Sequence, residues 1–174
     1  MTREELYQTI YTHDTIYLPP REGGSAALEV CLGCSWHKCT FCDFAKDRFQ
    51  ILPLTRIEYN LKVLGQLQPD NDRLFLLGEN AFCINTMYLL SILDLVDKYM
   101  PNVKTFSMYS RIDDILRKSD SELNLLKSKG VVLIIYLSLQ IIQMKFFFHI
   151  FERNRIGFNF HTVFYHLNTF INDG

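Results

Sequence analysis

Four cysteines follow a short apolar run in the stretch Ala26-Ala-Leu-Glu-Val-Cys-Leu-Gly-Cys-Ser-Trp-His-Lys-Cys-Thr-Phe-Cys-Asp43. The run from Ala26 to Val30 predicts a β-strand that leads straight into the cysteines. A disulfide framework spreads its cysteines along the chain to close long loops, whereas these four lie close together. Clustered thiols of this kind indicate a metal or metal–sulfur site. The cysteines are Cys31, Cys34, Cys39 and Cys42, with the spacing C-x2-C-x4-C-x2-C.

The composition fits one ordinary folded domain. The chain has 174 residues, of which 48% are apolar and 21% charged, so it has enough apolar side chains to form a core. A formal net charge of −1 excludes a polycation that coats nucleic acid, and no nucleic-acid partner is expected. The N-terminal residues 1–5 lead into polar sequence and carry no secretory signal, so we expect a cytoplasmic location.

Strands and helices alternate on both sides of the cysteines. Repeated units of strand and helix predict an α/β fold with a parallel sheet, and apolar strands of this kind are typical of sheets buried on both faces. A short amphipathic helix over residues 3–12 precedes them. The predicted strands are 26–30, 73–77, 103–108 and 131–136, and the predicted helices between them span 55–67, 86–99 and 119–129.

Two helix starts carry a capping-box pattern, in which a hydroxyl and a carboxylate satisfy free N–H groups of the first turn. The first is Thr55-Arg-Ile-Glu58 and the second is Ser119-Asp-Ser-Glu122. Gly130 follows the second helix at the position where glycine commonly ends a helix.

The cysteine stretch resembles the cluster loop of radical SAM enzymes. The closest form is the subgroup with the motif C-x4-C-x2-C, which includes proteins like the methylthiotransferases and the elongator catalytic subunit. Residues 17–22, Tyr-Leu-Pro-Pro-Arg-Glu, also resemble that subgroup's lead-in. The resemblance covers residues 17–136 and implies an incomplete (β/α) barrel of about four parallel strands, whereas the family core is a partial barrel of six units.

The resemblance implies a set of metal ligands. Cys34, Cys39 and Cys42 would hold three irons of a [4Fe–4S] cluster, and the fourth iron would bind S-adenosylmethionine. Phe41 matches the family's aromatic residue near the adenine of that cofactor.

The same resemblance places cofactor-binding residues at two strand ends. Gly78 and Glu79 stand where the family has a G-G-E-like motif that binds the methionine amino group, with Leu77 in place of the first glycine. Ser110 and Arg111 end the third predicted strand, where related proteins place polar groups that contact the cofactor.

The remaining residues around the cysteines are interpreted as structural. Cys31 and Cys83 are expected to be buried thiols that act as small apolar side chains. His37 is expected on the surface of the loop. Trp36 either packs beneath the cluster or anchors the loop, and the sequence favours neither role.

The implied function is that of a radical SAM enzyme. A [4Fe–4S] cluster and S-adenosylmethionine would serve reductive cleavage of the cofactor and hydrogen abstraction from an unknown substrate, with a flavodoxin- or ferredoxin-like electron donor. Two alternatives stay open. One is a truncated and inactive radical SAM fragment. The other is a non-catalytic zinc-binding module that uses Cys31, Cys34, Cys39 and Cys42.

Three segments divide the chain: residues 1–24 form an N-terminal helix and connector, 25–138 the core, and 139–174 a phenylalanine-rich divergent tail. The tail lacks the glycine- and acid-containing turn that the subgroup has after its fourth strand. It is a buried helical end of the domain, part of a membrane segment over 131–151, or an out-of-frame replacement of the native continuation. Polar residues interrupt the apolar run and make membrane insertion costly, so no membrane partner is expected.

Overall fold

The computed structural model describes residues 2–38, 47–136 and 160–163. Seven strands and five α-helices lie in these ranges, together with 3₁₀ turns at Pro20–Glu22 and Ala81–Cys83. In chain order they are α1 Arg3–Ile10, β1 Ala26–Glu29, β2 Cys31–Leu32, β3 Gln50–Ile51, α2 Leu54–Leu67, β4 Arg73–Leu77, α3 Thr86–Tyr99, β5 Thr105–Ser110, α4 Ile112–Arg117, α5 Asp120–Ser128, β6 Val131–Tyr136 and β7 Phe160–Val163.

The main sheet has five strands in the order β1-β4-β5-β6-β7, and each neighbouring pair is parallel. This confirms the predicted parallel α/β sheet. The sheet has one strand more than the four predicted, because β7 lies inside the segment set apart as a divergent tail. Strand order follows chain order without a reversal, so right-handed crossovers put the connecting helices on one face.

The two faces of the sheet differ in chemistry. The face toward the helices is apolar, and Leu74, Leu76 and Met108 on it belong to the main core. The opposite face is also buried at its centre but mixes apolar and polar groups: Phe75 and Ser107 pair there in register, and both are fully buried. The expectation that the sheet is buried on both faces is confirmed at its centre, although the second face also carries polar groups.

A buried ion pair lies on the second face. Glu22 is only 2% exposed, and its Oε1 accepts from Arg73 Nη2 at 2.7 Å and from Ser107 Oγ at 2.9 Å. Ser25 Oγ donates to the other carboxylate oxygen. Burial opposes ionisation of Glu22, but these three hydrogen bonds and the charge of Arg73 outweigh it and lower its pKa. The pair ties the lead-in segment to the middle of the sheet.

The predicted capping box at Thr55 is wrong. Helix α2 begins one residue earlier, at Leu54, with Pro53 as N-cap and no side-chain cap. The fixed φ of proline suits the start of a helix, and the Pro53 carbonyl accepts the first helical N–H groups. The Glu58 carboxylate instead accepts hydrogen bonds from the Tyr99 hydroxyl and, at 3.4 Å, from Lys98.

The second predicted capping box is confirmed. Ser119 Oγ accepts from the Glu122 backbone N–H, and the Glu122 carboxylate accepts from the Ser119 backbone N–H at 2.8 Å. Gly130 follows with φ +83°, the left-handed conformation in which glycine avoids the strain of a Cβ. The sequence therefore predicts the start and end of α5 correctly, whereas the preceding helix α4 was not predicted.

The longest helices in the described ranges, α2 and α3, have 14 residues each. None of the helices that the structure describes has the length and apolar character needed to cross a membrane. Residues 131–136, the first part of the membrane segment considered from the sequence, form strand β6 instead. The rest of that segment lies outside the described residues.

Candidate functional site

The described candidate residues meet at one edge of the sheet. Cys34 follows the β1–β2 region, Glu79 follows β4, and Arg111 follows β5. Because these strands are parallel, their carboxyl ends lie at the same edge, which is where α/β folds place their binding sites. The strand ends that carry these predicted site residues therefore lie at one edge of the sheet, and a shared site there stays a prediction.

Three of the predicted site residues lie in the part of the cysteine loop that follows Lys38. Cys39, Cys42 and Phe41 fall in residues 39–46, outside the described part of the chain. Within the part that is described, no group of three His, Cys, Asp or Glu side chains is arranged to hold a metal ion. The ligand set of Cys34, Cys39 and Cys42 therefore stays a prediction.

Cys31 packs directly against Gly78. Its side chain is 2% exposed, and a Cβ added to Gly78 would lie 2.2 Å from the Cys31 Sγ. Gly78 also has φ +144°, a conformation that L side chains rarely adopt. Burial raises the pKa of the Cys31 thiol, and the nearby Cys83 and Glu79 raise it further. The expectation that Cys31 is a buried thiol is confirmed.

Two further thiols lie near the start of the cysteine loop. Cys34 and Cys83 are both half-buried and free of disulfide bonds. Burial raises the pKa of Cys83, and a hydrogen bond with the Ser35 side chain partly opposes this rise. Ser35 follows Cys34 directly, so this hydrogen bond connects the loop to the 3₁₀ turn after β4.

Asn80 is the residue that the sequence interpretation missed. It is fully buried, and its Nδ2 donates to Ser35 Oγ at 2.8 Å and to Asp114 Oδ2 at 2.7 Å. Its Oδ1 accepts from the backbone N–H of Arg111 at 3.2 Å. The available signal was its place directly after Gly78-Glu79, at a strand end where polar side chains commonly serve a site.

Trp36 lies against Arg111. The guanidinium carbon is 4.1 Å from the centroid of the tryptophan ring, and the Lys38 ammonium lies 5.1 Å from it. Arg111 also pairs with Asp113 at 2.5 Å, while its distance to Asp114 is 4.0 Å. Cation–π contacts of this kind hold an aromatic ring in place. Trp36 therefore anchors the loop to the end of β5, one of the two roles left open by the sequence.

Ser110 and Arg111 are engaged within the protein. Ser110 is 6% exposed, and its hydroxyl donates to the Arg111 carbonyl at 3.1 Å. The Arg111 side chain is 18% exposed, pairs with Asp113 and lies over the Trp36 ring. Both residues thus shape the edge of the site through contacts with neighbouring residues.

Acidic groups gather beside Gly78. Burial raises the pKa of Glu79, and the negative charge of Asp47 adds to the rise. Asp47 Oδ2 is 2.6 Å from His13 Nε2. This contact connects the segment just after the cysteine loop to the segment after α1. The nearby Glu29 carboxylate accepts from the Thr12 backbone N–H at 3.2 Å and from its hydroxyl at 2.7 Å. The carboxylates of Glu29, Asp47 and Glu79 thus lie close enough to one another to interact electrostatically.

The His13–Asp47 pair predicts a pH-dependent contribution to stability. The hydrogen bond to Asp47 raises the pKa of His13 above its ordinary value of 6.5. A raised histidine pKa in the folded state contributes stability that is complete below the unfolded pKa and is lost as pH rises through the folded value. His13→Ala is therefore expected to lower the melting temperature more at pH 5.5 than at pH 8.5, where the two proteins should converge. An equal loss at both pH values would contradict this prediction.

No protein-family model, curated protein or solved structure matches the chain.

Proposed function

We propose that the chain is a radical SAM-type protein that binds a [4Fe–4S] cluster and S-adenosylmethionine and acts on an unidentified substrate. The observation that carries the proposal is the position of the cysteine loop. It begins at the carboxyl edge of a parallel sheet, beside Glu79 and Arg111. A cluster held there would face the strand ends, as binding sites of (β/α) barrels do.

The donor set fits an iron–sulfur cluster with one open position. Cys34, Cys39 and Cys42 supply three thiolates, which are the soft ligands that such clusters prefer. When bound, the cluster supplies an electron for reductive cleavage of S-adenosylmethionine, which starts hydrogen abstraction from the substrate. We propose that a flavodoxin- or ferredoxin-like protein delivers that electron, in the cytoplasm.

The protein's own residues would bind and orient the cofactor. Glu79 and the backbone at Gly78 are proposed to bind the methionine amino group, and Phe41 to lie near the adenine. The raised pKa of the half-buried Glu79 supports this role, because a cationic amino group would stabilise its ionised form. Ser110 and Arg111 are proposed to complete the cofactor site at the end of β5.

The zinc-module alternative has weaker support. It needs Cys31 as a fourth ligand, yet the Cys31 thiol is 2% exposed and packs on Gly78. We therefore favour three cysteine ligands over four.

Strand β7 bears on the fragment alternative. An incomplete barrel leaves unpaired backbone groups on its last strand, and such an edge promotes aggregation. Residues 160–163 pair with β6 from Leu133 to Tyr136, so the end strand of the described sheet is β7 and not β6. This pairing supports an incomplete (β/α) barrel that continues past β6 into the tail.

Cysteine variants test the ligand set. After anaerobic reconstitution with iron and sulfide, the wild-type protein should bind about four irons and four sulfides per chain and absorb broadly in the visible range. Cys34→Ala, Cys39→Ala and Cys42→Ala should each abolish the absorption. Cys31→Ala and Cys83→Ala are the matched controls and should retain it.

The zinc module predicts a different result. It is one zinc ion per chain, no iron–sulfur absorption after reconstitution, and loss of the zinc in Cys31→Ala as well as in the other three variants.

A further inference from the structure

We propose that Asn80 is a positioning residue that fixes the start of the cysteine loop relative to the ends of β4 and β5. The inference rests on the proposed function, since it concerns how the loop presents Cys34. It concerns a residue that neither the cysteine motif nor the G-G-E-like motif contains.

Both polar atoms of the Asn80 side chain, Nδ2 and Oδ1, are hydrogen-bonded. One N–H of the amide goes to Ser35 and one to Asp114, and the amide oxygen accepts from Arg111. The three partners come from the cysteine loop, helix α4 and the turn after β5. Asn80 itself is fully buried, so each lost hydrogen bond leaves one of its own amide atoms desolvated.

Each hydrogen-bond partner of Asn80 makes a further contact within the protein. Ser35 carries the connection to Cys83, and Asp114 also pairs with Arg117 at 3.2 Å. The backbone N–H of Arg111 donates to Asn80, and the guanidinium of Arg111 lies over the ring of Trp36. Two consecutive loop residues, Ser35 and Trp36, are thus fixed through one buried amide. Cys34 precedes them directly, so the position of its thiol relative to Glu79 depends on the same amide.

An isosteric change separates positioning from packing. Asn80→Asp keeps the volume and shape of the side chain but replaces its two N–H donors with at most one O–H donor. It also puts a carboxylate beside Asp114 Oδ2, the present acceptor at 2.7 Å. Two buried carboxyl groups at this separation cannot both ionise, so one takes up a proton and donates it to the other, and the donor that now holds Ser35 is lost.

The sole tryptophan of the chain, Trp36, reports loop position without metal or cofactor. In the metal-free protein at neutral pH, Asn80→Asp should shift Trp36 emission to longer wavelength and increase its quenching by acrylamide. Ser35→Ala changes an exposed residue and should move both signals in the same direction by less. In the reconstituted protein, Asn80→Asp should weaken S-adenosylmethionine binding by about tenfold, the effect of one ordinary hydrogen-bonded contact.

Asn85→Asp is the matched control. Asn85 caps α3 by accepting from the Met87 N–H at 2.9 Å, and aspartate caps a helix equally well. This variant should leave Trp36 fluorescence and cofactor binding unchanged. Unchanged fluorescence in both Asn80→Asp and Ser35→Ala would overturn the positioning role. A wild-type protein that takes up no cluster would instead overturn the proposed function, and the metal-free fluorescence would still decide the role of Asn80.

Discussion

Replacing Gly78 with alanine is expected to lower the free energy of unfolding by about 4 kcal/mol. The conformation at φ +144° costs a non-glycine residue about 1–3 kcal/mol, and overpacking of a filled site costs about 1–3 kcal/mol more. The new Cβ would lie 2.2 Å from the Cys31 Sγ and 3.2 Å from the Cys31 carbonyl oxygen. Urea denaturation of the two proteins measures the difference in unfolding free energy.

Gly24→Ala is the control for Gly78→Ala, because nothing lies within 4 Å of a Cβ at Gly24 and its φ is not positive. The control should stay within about 0.5 kcal/mol of wild type. Adding Cys31→Ala to Gly78→Ala removes the clashing sulfur and should recover part of the loss, while the backbone strain remains. A Gly78→Ala protein as stable as the Gly24→Ala protein would contradict the packing described here.

Arg73→Met is expected to lower the free energy of unfolding by about 3 kcal/mol. Removing one partner of a buried ion pair leaves an uncompensated charge and costs about 3–5 kcal/mol. We expect the lower end of that range because the Arg73 side chain is 37% exposed, whereas that of Glu22 is 2% exposed. Chemical denaturation at neutral pH measures the loss.

The loss in Arg73→Met should depend on pH. The wild-type pair lowers the pKa of Glu22, so its stabilisation is present above the unfolded value of about 4.5 and is lost as pH falls through the folded value. The difference between variant and wild type should therefore shrink in acid. Lys129→Met is the control, since Lys129 pairs with Asp94 and Asp97 on the surface and should contribute less than about 1 kcal/mol. Equal losses in the two variants, or a loss independent of pH, would count against the buried pair.

Local sequence patterns predicted the framework well. Apolar runs located strands β4 and β6, and the predicted helix over 86–99 has the same bounds as α3, Thr86–Tyr99. Local capping chemistry located the start of α5 because both members of that box lie within one turn. At Thr55 the same pattern failed, since Glu58 is engaged by Tyr99 and Lys98 from α3, a contact between distant segments.

The sequence predicted which strand ends carry the candidate site residues, but not the hydrogen bonds between these residues. Strand ends in a parallel sheet meet at one edge, so the positions of Cys34, Glu79 and Arg111 follow from the order of the elements. The role of Asn80 depends on partners 45 and 34 residues away along the chain, Ser35 and Asp114, which no local pattern reveals. The pairing of β7 with β6 was missed for a similar reason, because it joins segments that are distant along the chain.

Electron paramagnetic resonance of the anaerobically reconstituted and reduced protein, with and without S-adenosylmethionine, tests most directly whether three cysteines leave one iron open to the cofactor. We expect a [4Fe–4S]+ signal that changes when S-adenosylmethionine is added. A cluster signal that the cofactor leaves unchanged, or stoichiometric zinc in place of a cluster, would contradict the proposed function.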